Sequence, residues 1–178
     1  GKSMHMASLM NNTGAIMSCD IYDHKLELIN QNAERLGVSI ISTKLQDGRY
    51  LPDNWKEQFD RVLVDAPCSG LGILQKKLDM RWRKTESLLI ELPLLQLEIL
   101  EKASEMDKVN GYLVYSTCTM NSGDNEAVLN KFLAIHKNFI IDPVSYKGAP
   151  QAIDGMITTY PPRDHMDGFF MARMKRLS

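Results

Sequence analysis

Two short segments carry the side chains best suited to covalent chemistry, because each places a cysteine just after a run of apolar residues. The first is Asp65-Ala66-Pro67-Cys68-Ser69-Gly70-Leu71-Gly72 and the second is Ser116-Thr117-Cys118-Thr119. Taken alone, the first is more typical of a tight turn, and the cysteine of the second is more typical of a small buried side chain. If the two preceding strands are neighbours, both thiols face one cleft, where a thiolate would act as a nucleophile.

Single carboxylates, Asp20 and Asp47, also follow predicted strands. An acid at the end of the second strand of a nucleotide-binding α/β sheet commonly binds ribose hydroxyls. Helix capping or solvation explains such an acid as well, and Asp47 lies in Gln46-Asp47-Gly48-Arg49-Tyr50, which is typical of a turn. Both residues are candidates for binding a nucleoside.

A basic run lies in the loop after the first cysteine. Residues 76–84 hold five lysines and arginines against one aspartate, a local charge of +4, together with Trp82. Such a cluster is usually a solvated surface. Beside a cleft, it would allow phosphate contacts and base stacking.

The hydrophobic pattern predicts alternating strands and helices around these segments. Strands are predicted at residues 15–19 (ending at Asp20), 39–43, 59–65, 112–116 and 139–141. Helices are predicted at residues 26–36, 85 to about 109 (with Thr85 as the cap and a kink at Pro93) and 121–136. This alternation is typical of a parallel α/β sheet.

The two ends of the chain differ from that pattern. Residues 155–160 and 168–174 are strand-like, and no helix is expected between Pro161 and Met166, so an antiparallel hairpin should close the sheet edge. The chain opens with Gly1-Lys2-Ser3 and then a helical segment, without the strand and glycine loop that normally come first. We therefore expect one domain, residues 1–178, cut inside its first loop.

Composition limits the class of protein. The chain has 178 residues, with 21 Lys and Arg against 22 Asp and Glu, which excludes a polybasic nucleic-acid tail but not a local basic cleft. Its first residues do not show the apolar region of a signal peptide, and no apolar run approaches the ~20 residues of a membrane span. Three widely spaced cysteines argue against a disulfide framework. We expect a cytoplasmic protein that needs no metal for stability.

Three motifs in order resemble one family. Asp65-Ala66-Pro67-Cys68-Ser69-Gly70, Ser116-Thr117-Cys118-Thr119 and Asp167-Gly168-Phe169-Phe170-Met171-Ala172 look like those of the Sun/Fmu (RsmB-like) RNA cytosine-5 methyltransferases, over essentially the whole chain. The resemblance implies a Rossmann-like class I methyltransferase sheet, mostly parallel with a C-terminal antiparallel hairpin, lacking here its first strand and most of the cofactor loop. It also implies S-adenosylmethionine as cofactor and RNA, with small-subunit ribosomal RNA favoured, as partner.

The resemblance also implies a role for each matching residue. Cys118 matches the nucleophile that adds to cytosine C6, and Cys68 matches the cysteine that helps to release the product. Asp65 matches an acid that contacts both the cytosine and the cofactor region, and Lys2 matches a lysine that reaches the active site. For the cofactor, Asp20 matches the acid that binds the ribose, Asp47 matches the one near the adenine amino group, and Gly1 belongs to the end of the glycine-rich loop.

Departures from the family leave alternatives open. The family often has Pro-Asp where this chain has Leu78-Asp79, and its members usually carry a separate N-terminal RNA-binding domain. A truncated chain would bind little cofactor and act only as an RNA-binding or scaffolding piece, with a dimer through an uncovered edge as one outcome. A DNA cytosine-5 methyltransferase would use Cys68 as nucleophile, but the chain lacks its Glu-Asn-Val motif. An amino-group methyltransferase would carry Asp/Asn-Pro-Pro-aromatic in place of residues 65–68, and this chain has no aromatic residue there.

Overall fold

The computed structural model describes residues 1–73, 86–144, 150 and 152–178, with residues 86–89 as backbone only. The predicted basic run at 76–84, with Trp82, and the predicted cap at Thr85 lie outside these residues. The described chain forms two compact units, residues 1–51 and residues 52–178.

The first unit contains two helices and a two-stranded parallel sheet. Its elements are α1 (Lys2–Leu9), β1 (Ile16–Asp20), α2 (Asp23–Arg35) and β2 (Ile41–Leu45). The strands pair from Ile16 with Ile41 to Asp20 with Leu45. Helix α2 buries Leu26 and Ala33, which are two turns apart on one face. Gly37 follows the helix with φ at +64°, a conformation that glycine adopts without strain.

The second unit is a five-stranded sheet with helices packed on one face. Its elements are β3 (Phe59–Asp65), α3 (Glu86–Ser104), β4 (Asp107–Thr117), α4 (Glu126–Ile135), β5 (Phe139–Ile141), β6 (Met156–Thr158), α5 (Pro161–Asp164) and β7 (Phe170–Arg176). The strand order is β3-β4-β7-β5, and β6 also pairs with β7. Strands β3 and β4 are parallel, and β7 is antiparallel to β4, β5 and β6. Four strands of this sheet therefore run in one direction and β7 runs in the other.

The core of the second unit follows the two-residue period of its strands. Alternate side chains of β3, β4 and β7 point to the same face, where they meet the apolar sides of α3 and α4. The buried cluster includes Val64, Leu113, Tyr115, Phe170, Ala172 and Met174 from the strands, and Leu100, Ala103, Val128, Leu129 and Phe132 from the helices. This packing holds β3 and β4 side by side. The observed α/β architecture, mostly parallel with a C-terminal antiparallel strand, confirms the predicted fold class.

Several predicted boundaries near strands were wrong, and β4 begins at Asp107 rather than at residue 112. Strand β2 begins at Ile41 rather than at residue 39, because the Ser39 N–H is taken by the side-chain oxygen of Asn12 at 3.0 Å. Helix α3 ends at Ser104 rather than near residue 109. The chain leaves the helix there because the carbonyls of the next two residues accept backbone hydrogen bonds from Glu57 and Phe59.

Helix boundaries in the last third also differ from the prediction. Helix α4 begins at Glu126, not at residue 121, because Asn121 accepts the Gly123 N–H and forms a turn before the helix. The short helix α5 was not predicted. Prolines occupy its first two positions, and the Asp164 carboxylate accepts the Tyr160 N–H at 2.8 Å.

The predicted C-terminal hairpin is present, but its place in the sheet was wrong. Strands β6 and β7 pair antiparallel from Met156 with Ala172 to Thr158 with Phe170. Strand β7 does not close an edge, because it lies between β4 on one side and β5 and β6 on the other. The last three residues of the motif Asp167–Ala172 thereby lie next to β4, the strand that Cys118 follows.

Candidate active site

The two cysteine segments begin at the same edge of the second unit's sheet. Asp65, the last residue of β3, pairs in register with Ser116 of β4. The pairing continues one step past β3, where the Ala66 N–H donates to the Ser116 carbonyl at 2.9 Å. Both loops therefore leave adjacent parallel strands at their carboxyl ends, the usual place for a ligand site in an α/β sheet.

This arrangement brings Cys68 and Cys118 into contact. Their sulfur atoms are 3.1 Å apart, and the Cys118 backbone N–H also donates to the Cys68 sulfur at 3.2 Å. Both cysteines are free and half-buried. Two thiols at this distance share a hydrogen bond, so that one sulfur donates its proton to the other.

The environment of Cys68 favours its neutral form. The hydrogen bond with Cys118 raises the pKa of the Cys68 thiol far above its usual value, and burial and the charge of an ionised Cys118 raise it further. The Cys118 N–H opposes this effect weakly. Cys68 therefore keeps its proton at neutral pH, and either sulfur can be the donor of the pair.

Asp65 places an exposed carboxylate at the same edge of the sheet as the two thiols. It accepts a hydrogen bond from the Ser116 hydroxyl at 3.3 Å. The loop after it is held from α3, where the fully buried Gln96 donates to the Pro67 carbonyl at 2.7 Å. The carboxylate and thiols therefore share one edge of the sheet and could act on one substrate there.

Two glycines tie the third motif to the cysteine loops. The Gly72 N–H donates to the Cys118 carbonyl at 3.1 Å, and the Gly168 N–H donates to the Gly72 carbonyl at 2.9 Å. A Cβ at Gly72 would overlap the backbone of Gly168. Both positions therefore need glycine because two backbones pass in direct contact.

Sequence reasoning missed a set of buried polar residues around the cysteines. Asn125, which is 1% exposed, accepts the Thr117 hydroxyl at 2.6 Å and donates to the Thr119 carbonyl at 3.1 Å. Asn125 thus forms hydrogen bonds with the residues on both sides of Cys118. Asp124 and Ser69 are buried beside it. Ser69 and Thr119 lie in the quoted motifs, whereas nothing in the sequence distinguishes Asp124 and Asn125 from ordinary turn residues.

The predicted ribose-binding acid, Asp20, ends β1 in the first unit. Its carboxylate accepts the Tyr22 N–H at 3.0 Å and lies 3.4 Å from the Lys25 ammonium. The side chain is 26% exposed, and each of its oxygens has a further lone pair for a hydroxyl donor. Asp20 therefore fits a ribose-binding role.

Asp47 fits its predicted role less well in this structure. It lies just after β2, where its carboxylate makes a two-pronged ion pair with Arg49, with a shortest contact of 2.6 Å. The Arg49 guanidinium holds the pKa of this carboxyl below its usual value. An adenine amino group would have to use the remaining lone pairs or displace Arg49.

Gly1 and Lys2 lie at the start of α1. The Gly1 carbonyl accepts the His5 N–H at 3.2 Å, and the space beside the Gly1 Cα is open. Lys2 is exposed in the first turn of the helix. The sequence's other candidates, Asp65, Cys68 and Cys118, lie in the second unit.

Within residues 1–73, 86–144, 150 and 152–178, no cluster of three His, Cys, Asp or Glu side chains could hold a metal ion. No helix in the same part of the chain is long and apolar enough to span a membrane.

Known proteins are similar to this chain in sequence. The family model of the 16S rRNA methyltransferases RsmB/F matches residues 1–175. The probable ribosomal RNA small subunit methyltransferase B of Bacillus subtilis (strain 168) is 40% identical over 99% of this chain and 41% of its own length. The ribosomal RNA small subunit methyltransferase F of Serratia proteamaculans (strain 568) is 31% identical over 98% of this chain and 38% of its own.

A solved structure has a similar fold. The crystal structure of NSun6 from Pyrococcus horikoshii with SFG matches 100% of this chain and 45% of that one, with a TM-score of 0.86 and 28% identity. The chain thus spans about two fifths of the curated relatives it matches. Because the family model covers nearly the whole chain, the chain belongs to the RsmB/F family of 16S rRNA methyltransferases.

Proposed function

We propose that this chain carries the catalytic site of a cytosine-5 methyltransferase that acts on small-subunit ribosomal RNA. The observation that carries the proposal is the contact between Cys68 and Cys118 at the ends of adjacent parallel strands. The names of the two curated relatives support the substrate class. The methyl donor of this class I family is S-adenosylmethionine, and SFG, bound in the NSun6 structure, is an analogue of it.

The chemistry requires a covalent step. Cytosine C5 is a poor nucleophile, and a thiolate that adds at C6 converts the ring into an enamine whose C5 can accept a methyl group. In our proposal Cys118 forms this bond, on a base that has been unstacked to reach the site. S-adenosylmethionine supplies the electrophilic methyl group. A hydrogen bond from the N3/N4 edge of the ring to Asp65 stabilises the adduct.

Release divides the work between the two cysteines. A base removes the C5 proton, the C6–S bond breaks, and its electron pair returns to the Cys118 sulfur. Cys68, which keeps its proton and lies 3.1 Å from Cys118, is placed to donate that proton to the departing thiolate. The raised pKa of Cys68 makes it the poorer nucleophile, which supports Cys118 for the attack rather than Cys68, the residue that the DNA enzymes would use.

The first unit would contribute to cofactor binding. Asp20, with free acceptor capacity at the end of β1, is proposed to bind the ribose hydroxyls. Asp47 and Gly1 are proposed near the adenine and the glycine loop, and Lys2 near the reacting groups, on the resemblance alone. Cytoplasmic location and a single domain over residues 1–178 stay predictions.

Adduct trapping tests the proposal. The enzyme, at the length of its relatives, is incubated with S-adenosylmethionine and a small-subunit ribosomal RNA transcript, and denaturing gels report protein bound covalently to RNA. Cys68→Ala should accumulate the adduct because attack is intact and release is slow. Cys118→Ala and the double variant should give neither adduct nor methylated RNA. Cys19→Ala, which alters the exposed third cysteine, is the control.

The opposite pattern would reverse the assignment. If Cys118→Ala still forms the adduct and Cys68→Ala does not, Cys68 is the nucleophile. If wild type and every variant methylate RNA without any cysteine dependence, covalent catalysis is excluded.

A further inference from the structure

A buried polar bridge joins the residues that follow each cysteine. Ser69, next to Cys68, and Thr119, next to Cys118, place their hydroxyl oxygens 2.8 Å apart. Ser69 is 4% exposed and Thr119 is fully buried. The contact spans 50 residues of sequence, so it connects two separate loops rather than stabilising either one alone.

Asp124 anchors this bridge from the segment after β4. The side chain is fully buried, and one carboxylate oxygen accepts the Ser69 backbone N–H at 3.0 Å. The segment itself is fixed to the core because the fully buried Tyr115 donates its hydroxyl to the Asp124 carbonyl at 2.6 Å. A hydrogen bond to a charged acceptor inside a protein is stronger than one between neutral groups.

Burying a carboxylate is costly, and the described residues satisfy the hydrogen-bonding capacity of this one only in part. The second carboxylate oxygen of Asp124 is buried without a hydrogen-bond partner among the described residues. A helix-capping or solvated aspartate would avoid this cost by facing water. A buried Asp124 is therefore explained by the position that its hydrogen bond gives to Ser69. Because Cys68 directly precedes Ser69, the same bond also positions Cys68.

We infer that Asp124 and Thr119 are positioning residues that, through Ser69, hold the Cys68 thiol within hydrogen-bond distance of the Cys118 thiol. Neither residue touches substrate in this inference, and each acts through the loop that carries Cys68. The consequence for catalysis rests on the proposed function. If Cys68 drifts from Cys118, attack at C6 continues but the proton for the departing thiolate arrives slowly.

The separation of the thiols can be measured without RNA. In a Cys19→Ser background, diamide oxidises the two remaining thiols to one disulfide and is itself reduced to the hydrazine, and mass spectrometry follows the rate. Closing a 3.1 Å separation to the ~2.05 Å of a disulfide needs little motion, so the parent should cross-link readily. Asp124→Leu, which removes the acceptor, should slow this rate by about tenfold to a hundredfold, the scale of a 1 Å misplacement.

Two variants separate positioning from folding. Asp124→Asn keeps an acceptor for the Ser69 N–H and should cross-link within about twofold of the parent. Thr119→Val keeps the volume but loses the hydroxyl bridge, and it too should cross-link slowly. Asp107→Leu is the matched control, because it removes an equally buried carboxylate at the other end of β4 and should leave the rate unchanged.

The outcomes decide between the alternatives. Slow cross-linking of Thr119→Val and of folded Asp124→Leu, with a normal rate for Asp107→Leu, supports the inference. A parent-like rate in Thr119→Val or in folded Asp124→Leu overturns it, as does equal slowing in Asp107→Leu. In the enzyme with RNA, both slow variants should also accumulate adduct. If they cross-link slowly but neither they nor Cys68→Ala accumulates an adduct, the positioning is correct and the proposed function fails.

Discussion

Asp107 should make the stability of the second unit fall as the pH rises. This carboxyl is fully buried at the start of β4, and neither of its oxygens has a hydrogen-bond partner in the part of the chain that the structure describes. Burial raises its pKa from 3.8 to about 7, while Arg176 and Arg61 lower it in part and Asp60 raises it. The native state therefore keeps a proton that the unfolded state has already lost.

The sign and size of the effect follow from proton linkage. Because the pKa of Asp107 is higher in the folded state than in the unfolded state, the protonated carboxyl contributes its full stabilisation below about pH 4. This contribution is lost as the pH approaches 7. Each pH unit in that window costs about 1.4 kcal/mol, so the loss above pH 7 is at most about 4 kcal/mol. Asp107→Asn, with the same shape and no charge, should recover most of it.

Urea unfolding at pH 5, 6, 7 and 8 measures the free energy of unfolding of the parent and of Asp107→Asn. The advantage of Asp107→Asn over the parent should be smallest at pH 5 and should grow to a plateau near pH 7 to 8. Asp53→Asn is the control, because that exposed carboxylate pairs with Lys56, which lowers its pKa, so its pH trend should be small and opposite. A gain for Asp107→Asn that is the same at every pH, or a loss at pH 8, would refute the reasoning.

Two further substitutions test the cofactor site and the contact between the glycine loops. Asp20→Ala should raise the dissociation constant of S-adenosylmethionine in the enzyme, measured by calorimetry, by roughly tenfold to a hundredfold, which corresponds to the loss of a charged hydrogen bond. Asp23→Ala, at the start of α2, is the control and should leave this constant unchanged. Gly72→Ala should lower the melting temperature because its Cβ overlaps the Gly168 backbone. Gly123→Ala, whose Cβ would meet only ordinary contacts, is the control, and equal melting temperatures for the two variants would contradict the predicted overlap.

Local pattern was sufficient for much of the fold. Apolar runs ending in Asp20 and Asp65 placed β1 and β3. Periodicity and Gly37 placed α2. The boundaries at Ile41 and Glu126 were missed because the side-chain amides of Asn12 and Asn121 take backbone N–H groups, and local periodicity does not show such bonds.

The sequence by itself determined the α/β class, the family and the two cysteine segments at strand ends, because these depend on residue types and short-range spacing. Only the tertiary structure decided that β7 lies inside the sheet, that Cys68 and Cys118 touch, and that Asp124 reaches the Cys68 loop. These contacts join residues about fifty or more positions apart. They depend on which strands pair and which polar groups are buried together, and those are properties of the whole packed unit.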